Sequence, residues 1–194
     1  IGLPLPLSLY GQYVQNYEAR DMAATTIYDS DEDTAYLFGL RTNIAGVGPS
    51  AAALAKLKEL AERVQSNGKP LVQDPLFAAR MAKVEIELEN MRTTNLRVIA
   101  AVEGGGVPGA ESSMLKIRGT QIRQEILSLI RRAVGPYASP YIEAALNEGY
   151  SDAPIGDPAA ASAAAAYFNN RKQSIFGGSN EIQRNIISKM ILGL

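Results

Sequence analysis

Apolar residues recur at helical spacing over most of this chain. Tyr36, Leu37, Leu40, Ile44, Val47, Leu54, Leu57 and Val64 form a first run, opened by the acids of "SDEDTAY", which suit a positive helix N-terminus. "SNGKP" stops that run. A second helix is predicted from "QDPLFAARM", with Asp74 as N-cap and Pro75 in the first turn. It continues through Met81, Val84, Leu88, Met91 and Leu96 to about Val102. "EGGGVPGAESS" reads as a loop. A third helix, from about Ser112 to Val134, carries Leu115, Ile122, Ile126 and Leu129. A polar connection follows, with one short helix near "YIEAALNEG". The alanine-rich "DPAAASAAAAYFNNRKQ" predicts a fourth helix suited to close approach, and "SNEIQRNIISKMILG" a fifth. No stretch alternates well enough for a strand. Residues 1 to about 30 lack such cues and read as an arm or the tail of a preceding domain. Residues 31–194 are therefore expected to form an all-α antiparallel helical bundle.

Composition narrows the chemistry. The 194 residues are 46% hydrophobic and 20% charged, with a formal net charge of -1. That balance offers no electrostatic reason to expect nucleic acid or an anionic membrane as partner. Without cysteine, disulfides, thiolate catalysis and cysteine metal sites are excluded. Without histidine, Ser-His-Asp hydrolysis and ordinary zinc chemistry are excluded as well. No apolar run approaches a membrane span and nothing resembles a signal peptide, so a cytoplasmic domain is expected.

Three glycine clusters invite comparison with phosphate-binding loops. "IAGVGPS" has no preceding strand and no Lys-Ser/Thr ending. It reads as close packing of a crossing helix over Gly46 and Gly48. "EGGGVPG" reads as a surface loop. "FGGSNE" differs, because Gly177 and Gly178 immediately precede a helix whose first-turn N–H groups have no intrahelical partner. Such a terminus can take polar or anionic ligand groups. The competing reading is a simple N-cap at Ser179, with the glycines making the corner.

"RKQSIFGGSNEIQRNIISKMILGL" resembles the C-terminal signature of the acyl-CoA dehydrogenases, flavoenzymes that insert a double bond between the α and β carbons of a thioester. Arg171, Ile175, Phe176, Gly178, Ser179, Glu181, Ile182, Gln183 and Arg184 fill that signature. "RTNIAGVGPS", "NGKPLVQDPLFAARMAKVEIE" and "MLKIRGTQIRQEI" extend the resemblance upstream, in the family's order. It looks closest to the large-subunit branch typified by pimeloyl-CoA dehydrogenase. The text matches the family's C-terminal helical domain, so the resemblance implies an N-terminal helical domain and a β-domain supplied by the same chain or by a partner subunit.

The resemblance further implies FAD as cofactor, an acyl-CoA substrate, a homo- or hetero-tetramer, and an electron-transfer flavoprotein as acceptor. In the family, the Ser179 equivalent hydrogen-bonds the flavin. The Glu181 equivalent helps hold the FAD ribose region, and Gly178 lets the cofactor approach the backbone. The family's Gln-Ile-Phe-Gly-Gly loop, which contacts FAD across a subunit boundary, matches "RRAVGPYA", so Arg132 and Gly135 are its candidates. A further family arginine would fall at Val64 and is missing. Arg41 matches an arginine beside the active site, the competing reading being an ordinary ion pair.

The reaction needs a carboxylate within reach of the α-proton. The family places it either between the Tyr and Gly of the signature or just before the arginine of the domain's first helix. Here those positions are Gly177 and Leu40. Neither can take a proton, and Asp31, Glu32 and Asp33 lie about two turns upstream of Leu40. Two expectations follow. The chain contributes to a working dehydrogenase, its base coming from elsewhere, or it is a structural subunit that completes a neighbour's flavin site.

Overall fold

The computed structural model describes residues 46–104, 109–146 and 155–194. Their main elements are five α-helices: α1 (Val47–Arg63), α2 (Pro75–Glu103), α3 (Glu111–Ala133), α4 (Ala160–Asn169) and α5 (Asn180–Leu192). The described helices bear out the all-α expectation. The arm, Leu40 and Arg41 lie outside the described residues.

Helix boundaries follow local chemistry. Gly46, at the N-cap of α1, takes φ 59° and ψ 41°, a left-handed conformation that glycine adopts without penalty and that a right-handed helix cannot include. The first helix is therefore not continuous across Gly46. Close packing over Gly48 is also not what the structure shows, since a Cβ there would meet nothing within 4 Å. Asp74 caps α2 as expected: its Oδ1 accepts from the backbone N–H of both Leu76 and Phe77 at 2.9 Å. The α2 core stripe runs from Met81 through Met91 to Val98, whereas Leu96 is 58% exposed. A five-residue step from Met91 turns it about 140° away from that stripe.

The expectation of no strands is corrected at "SNGKP". Gln65–Ser66 (β1) and Lys69–Pro70 (β2) pair antiparallel, Gln65 opposite Pro70 and Ser66 opposite Lys69. Between them Asn67 and Gly68 both have positive φ, 52° and 74°. That is the Asn-Gly hairpin turn whose twist matches its strands. Two-residue strands are too short for alternation to show, but the Asn-Gly pair was their signal.

α3 is the central helix and packs on α1, α2, α4 and α5. One apolar cluster joins α1, α2 and α3 through Leu57, Val84, Leu88, Leu115, Ile122, Ile126 and Leu129. A second, at the C-terminal end of α3, joins Leu60, Ala133, Val134 and Ala138 to Ala160 and Ala163 of α4. The small residues of α4 permit that close approach. α4 is shorter than expected at both ends. Asp157 makes the turn before it, and a 3₁₀ segment, Asn170–Ser174, follows it. The short helix near "YIEAALNEG" is a 3₁₀ turn, Glu143–Leu146.

Candidate functional site

The Gly-Gly corner is built by two successive left-handed glycines, Gly177 (φ 66°) and Gly178 (φ 77°). Beyond them Ser179 caps α5, and its Oγ accepts from the Ile182 N–H at 3.4 Å. That distance is long for such a bond, so the cap is loose. Glu181 occupies the first turn and forms an exposed ion pair with Arg184 at 3.6 Å. Its own backbone N–H, and then the Ser179 hydroxyl, hold its carboxyl below the ordinary glutamate value. The carboxylate and the cap thus share one rim.

Beneath the corner the side chains are buried. Gln183, 1% exposed, donates from Nε2 to the Gly177 carbonyl at 2.9 Å, while its Oε1 has no partner among the described residues. A Cβ at Gly178 would sit 2.6 Å from that same Nε2. Gly178 is thus required by its φ and by Gln183 packed against it.

Arg132 and Gly135 lie elsewhere. They line a cavity of about 470 Å³ together with Arg63, Tyr137 and Asp157. Gly135 has φ 60°, and a Cβ built on it would meet nothing within 4 Å, so its backbone is approachable from that side. The exposed Arg132 side chain has no hydrogen-bond acceptor among the described residues. Arg63 Nε and Nη2, by contrast, donate to the Asp157 carboxylate at 2.6 and 2.9 Å. That hydrogen bond is the main reason the Asp157 carboxyl lies below its ordinary value. Asp157 Oδ1 also accepts from Ala159 N at 2.9 Å, which ties the entry of α4 to the end of α1.

The sequence-derived residues therefore fall into two groups. Ser179, Glu181 and Gly178 sit beside the N-terminal half of α3, where Lys116 touches Asn180. Arg132 and Gly135 sit at its C-terminal end. From Lys116 to Arg132 the helix rises about 24 Å, so one protomer brings the two groups to no common point. Sequence reasoning missed Arg63, Asp157 and the buried polar residues under the corner. Asp157-Pro158 before an alanine run was the available signal for a turn there.

A family model for the acyl-CoA dehydrogenase C-terminal domain matches residues 37–192. The chain belongs to that family. No curated protein is significantly similar to it. Among solved structures, butyryl-CoA dehydrogenase of Megasphaera elsdenii is similar over 82% of this chain and 37% of its own, with 18% identity and a TM-score of 0.62. PigA with FAD and proline gives 21% identity over 81% of this chain and 37% of its own, at a TM-score of 0.63. The ChsE4-ChsE5 complex of Mycobacterium tuberculosis gives 22% identity over 76% and 35%, at 0.57. At these identities the structures speak for the fold. The chain spans little more than a third of the length of each relative. No described helix is long and apolar enough to cross a membrane.

Proposed function

We propose that this domain supplies FAD contacts and subunit contacts to an FAD-dependent acyl-CoA dehydrogenase, through two separate half-sites. The observation that carries the reading is the pairing of a family-signature corner having a loose Ser179 cap with a distant cavity holding Arg132 and the approachable Gly135. The residues fit the cofactor. Ser179 and Glu181 offer a hydroxyl, a carboxylate and helix N-terminal amides for ribose and flavin polar groups. Arg132 offers an uncommitted guanidinium for a phosphate. Two groups at opposite ends of α3 suit contact with two different flavins, one of them across a subunit boundary. The ChsE4-ChsE5 relative is itself a complex of two unlike proteins.

When bound, the flavin supplies acceptance of a hydride from the β carbon of the thioester. This chain's residues would hold and orient it, and a homo- or hetero-tetramer would pass electrons to an electron-transfer flavoprotein. A second reading is a non-catalytic structural subunit of a heteromeric enzyme. One observation favours it: Gly177, one of the two family positions for the proton-accepting glutamate, has φ 66°. A glutamate in this backbone would be strained by about 1–2 kcal/mol. The other position, Leu40, carries no acid.

The test is flavin content of the native complex, in wild type and in Ser179→Ala with Glu181→Ala. Loss of flavin from the double variant is expected, and unchanged content would remove the cofactor assignment. Anaerobic titration with a panel of acyl-CoA thioesters then separates the two readings. Bleaching by one thioester in this protein alone would mark a catalytic chain whose base lies at another position.

A further inference from the structure

α3 carries a polar stripe beside its apolar packing face. Lys116, Thr120 and Gln124 follow one another at four-residue steps, each about 40° from the last, so all three share one side of the helix. Each of them meets the segment that leads into α5 or the first residue of α5. Gln124 Nε2 donates to the Asn170 carbonyl at 3.1 Å, and Arg171 Nη2 donates back to the Gln124 carbonyl at 3.1 Å. Lys116 Nζ donates to the Ser174 carbonyl at 3.2 Å and to Asn180 Oδ1 at 2.9 Å. Thr120 gives its proton to the Ile117 carbonyl at 2.9 Å, which leaves its oxygen to accept from Asn180 Nδ2 at 3.4 Å.

The geometry of Lys116 is the informative part. Ser174 ends the 3₁₀ segment before the Gly-Gly corner, and Asn180 is the first residue of α5 after it. One ammonium group therefore clamps both flanks of the corner, while Gln183 holds its middle by the Gly177 carbonyl. Lys116 and Thr120 are fully buried. Burying a lysine and a threonine costs stability unless both are hydrogen-bonded, and an apolar pair would pack here without that cost. What the polar pair adds over an apolar one is direction: hydrogen bonds fix where the carbonyl of residue 174 and the amide of residue 180 point. The corner between them is thereby held with Ser179 and Glu181 on its outer rim.

We infer that Lys116, Thr120 and Gln124 are positioning residues that set the Gly177-Gly178 corner in its ligand-facing shape. Lys116 is the principal clamp. The inference rests on the flavin assignment for its consequence, but the clamping itself can be measured without a cofactor.

The experiment uses the native complex with Lys116→Met, Thr120→Val and Thr120→Ser, read by FAD affinity, melting temperature and backbone hydrogen exchange. Lys116→Met is expected to weaken FAD binding about tenfold, the scale of a lost hydrogen bond to a charged group. Exchange should quicken at residues 175–182 and stay unchanged in α2. Thr120→Val should do the same more weakly, and Thr120→Ser, which keeps the hydroxyl, should restore both readouts. A lower melting temperature with wild-type FAD affinity and unchanged exchange at 175–182 would overturn the inference and leave only a packing role. If Lys116→Met fails to fold, the Thr120 pair decides by the same two readouts. A wild-type complex that binds no FAD would sink the cofactor assignment instead. Exchange at 175–182 would then support or overturn the clamp alone.

Discussion

The two sides of α3 are built differently. Toward α1 and α2 it presents Leu115, Ile122, Ile126 and Leu129, packed into a cluster that includes Leu57, Val84 and Leu88. Toward α5 and the segment before it, the buried positions include Lys116 and Thr120, both of which meet Asn180. Apolar packing is non-directional and scales with area removed from water. Hydrogen bonds add little net stability but demand particular distances and angles. The first side thus holds the domain together, and the second holds one corner in one shape. The corner that carries the family signature lies on the directional side.

The largest break is on the apolar side. Leu57 is fully buried, so Leu57→Ala should cost about 2–5 kcal/mol through lost transfer energy and a residual cavity. Urea or thermal unfolding measures it. If the two sides are as separate as they look, the remaining folded protein keeps wild-type hydrogen exchange at residues 175–182. Faster exchange there would show that the corner depends on the apolar cluster and would undo the comparison.

Gly178→Ala breaks the other side. The alanine would hold φ near 77° and place its Cβ 2.6 Å from Gln183 Nε2. A left-handed alanine costs about 1–2 kcal/mol before any clash is relieved. The expected result is a moderate loss of stability together with a loss of flavin from the complex. Gln183→Ala in the same background should recover part of the stability by making room, but not the flavin. Full recovery of both would mean that the glycine serves packing alone.

These two halves were unequally readable from the amino acids. The apolar side is periodic, so Leu54, Leu57, Val84, Leu88, Ile122 and Ile126 declared themselves as core. Asp74 before Pro75 declared its cap. The Lys-Thr-Gln stripe has helical spacing too, yet polar residues at that spacing usually mark a solvated face. Nothing local tells a buried polar stripe from an exposed one, because its partners lie 46 to 64 residues away. The hairpin was hidden by the length of its strands, and the Arg63–Asp157 link by a separation of 94 residues. Ser179 and Glu181 were readable through the family signature rather than through periodicity. The family match covers Leu40 and Arg41 as well, but both precede the described residues. Gly177, the other possible seat of the catalytic base, proves to be a corner residue with a backbone reason to be glycine.

The smallest expected effect sharpens the comparison by separating polarity from burial. Arg63 and Asp157 make a two-bond ion pair, but the arginine side chain is 55% exposed. The Asp157 side chain is 12% exposed, but with its partner open to solvent the pair is screened and contributes little. Asp157→Asn removes the charge and keeps an oxygen for the Ala159 N–H, so it should leave neutral-pH stability close to wild type. Asp157→Ala also removes the turn before α4 and should cost about 0.5–1 kcal/mol more, the scale of a lost cap. The acid dependence gives the sign. The Asp157 carboxyl lies below its ordinary value of 3.8, chiefly through its hydrogen bond with Arg63. Its contribution is therefore complete above that value and is lost as pH falls through the lower folded-state value. Wild type should lose slightly more stability than Asp157→Asn when melting is followed from neutral pH to about pH 3, and the two curves should converge at the acid end. A neutral-pH loss in Asp157→Asn as large as that of Leu57→Ala would show that a half-exposed charge pair, not buried packing, holds the end of α1 to the entry of α4.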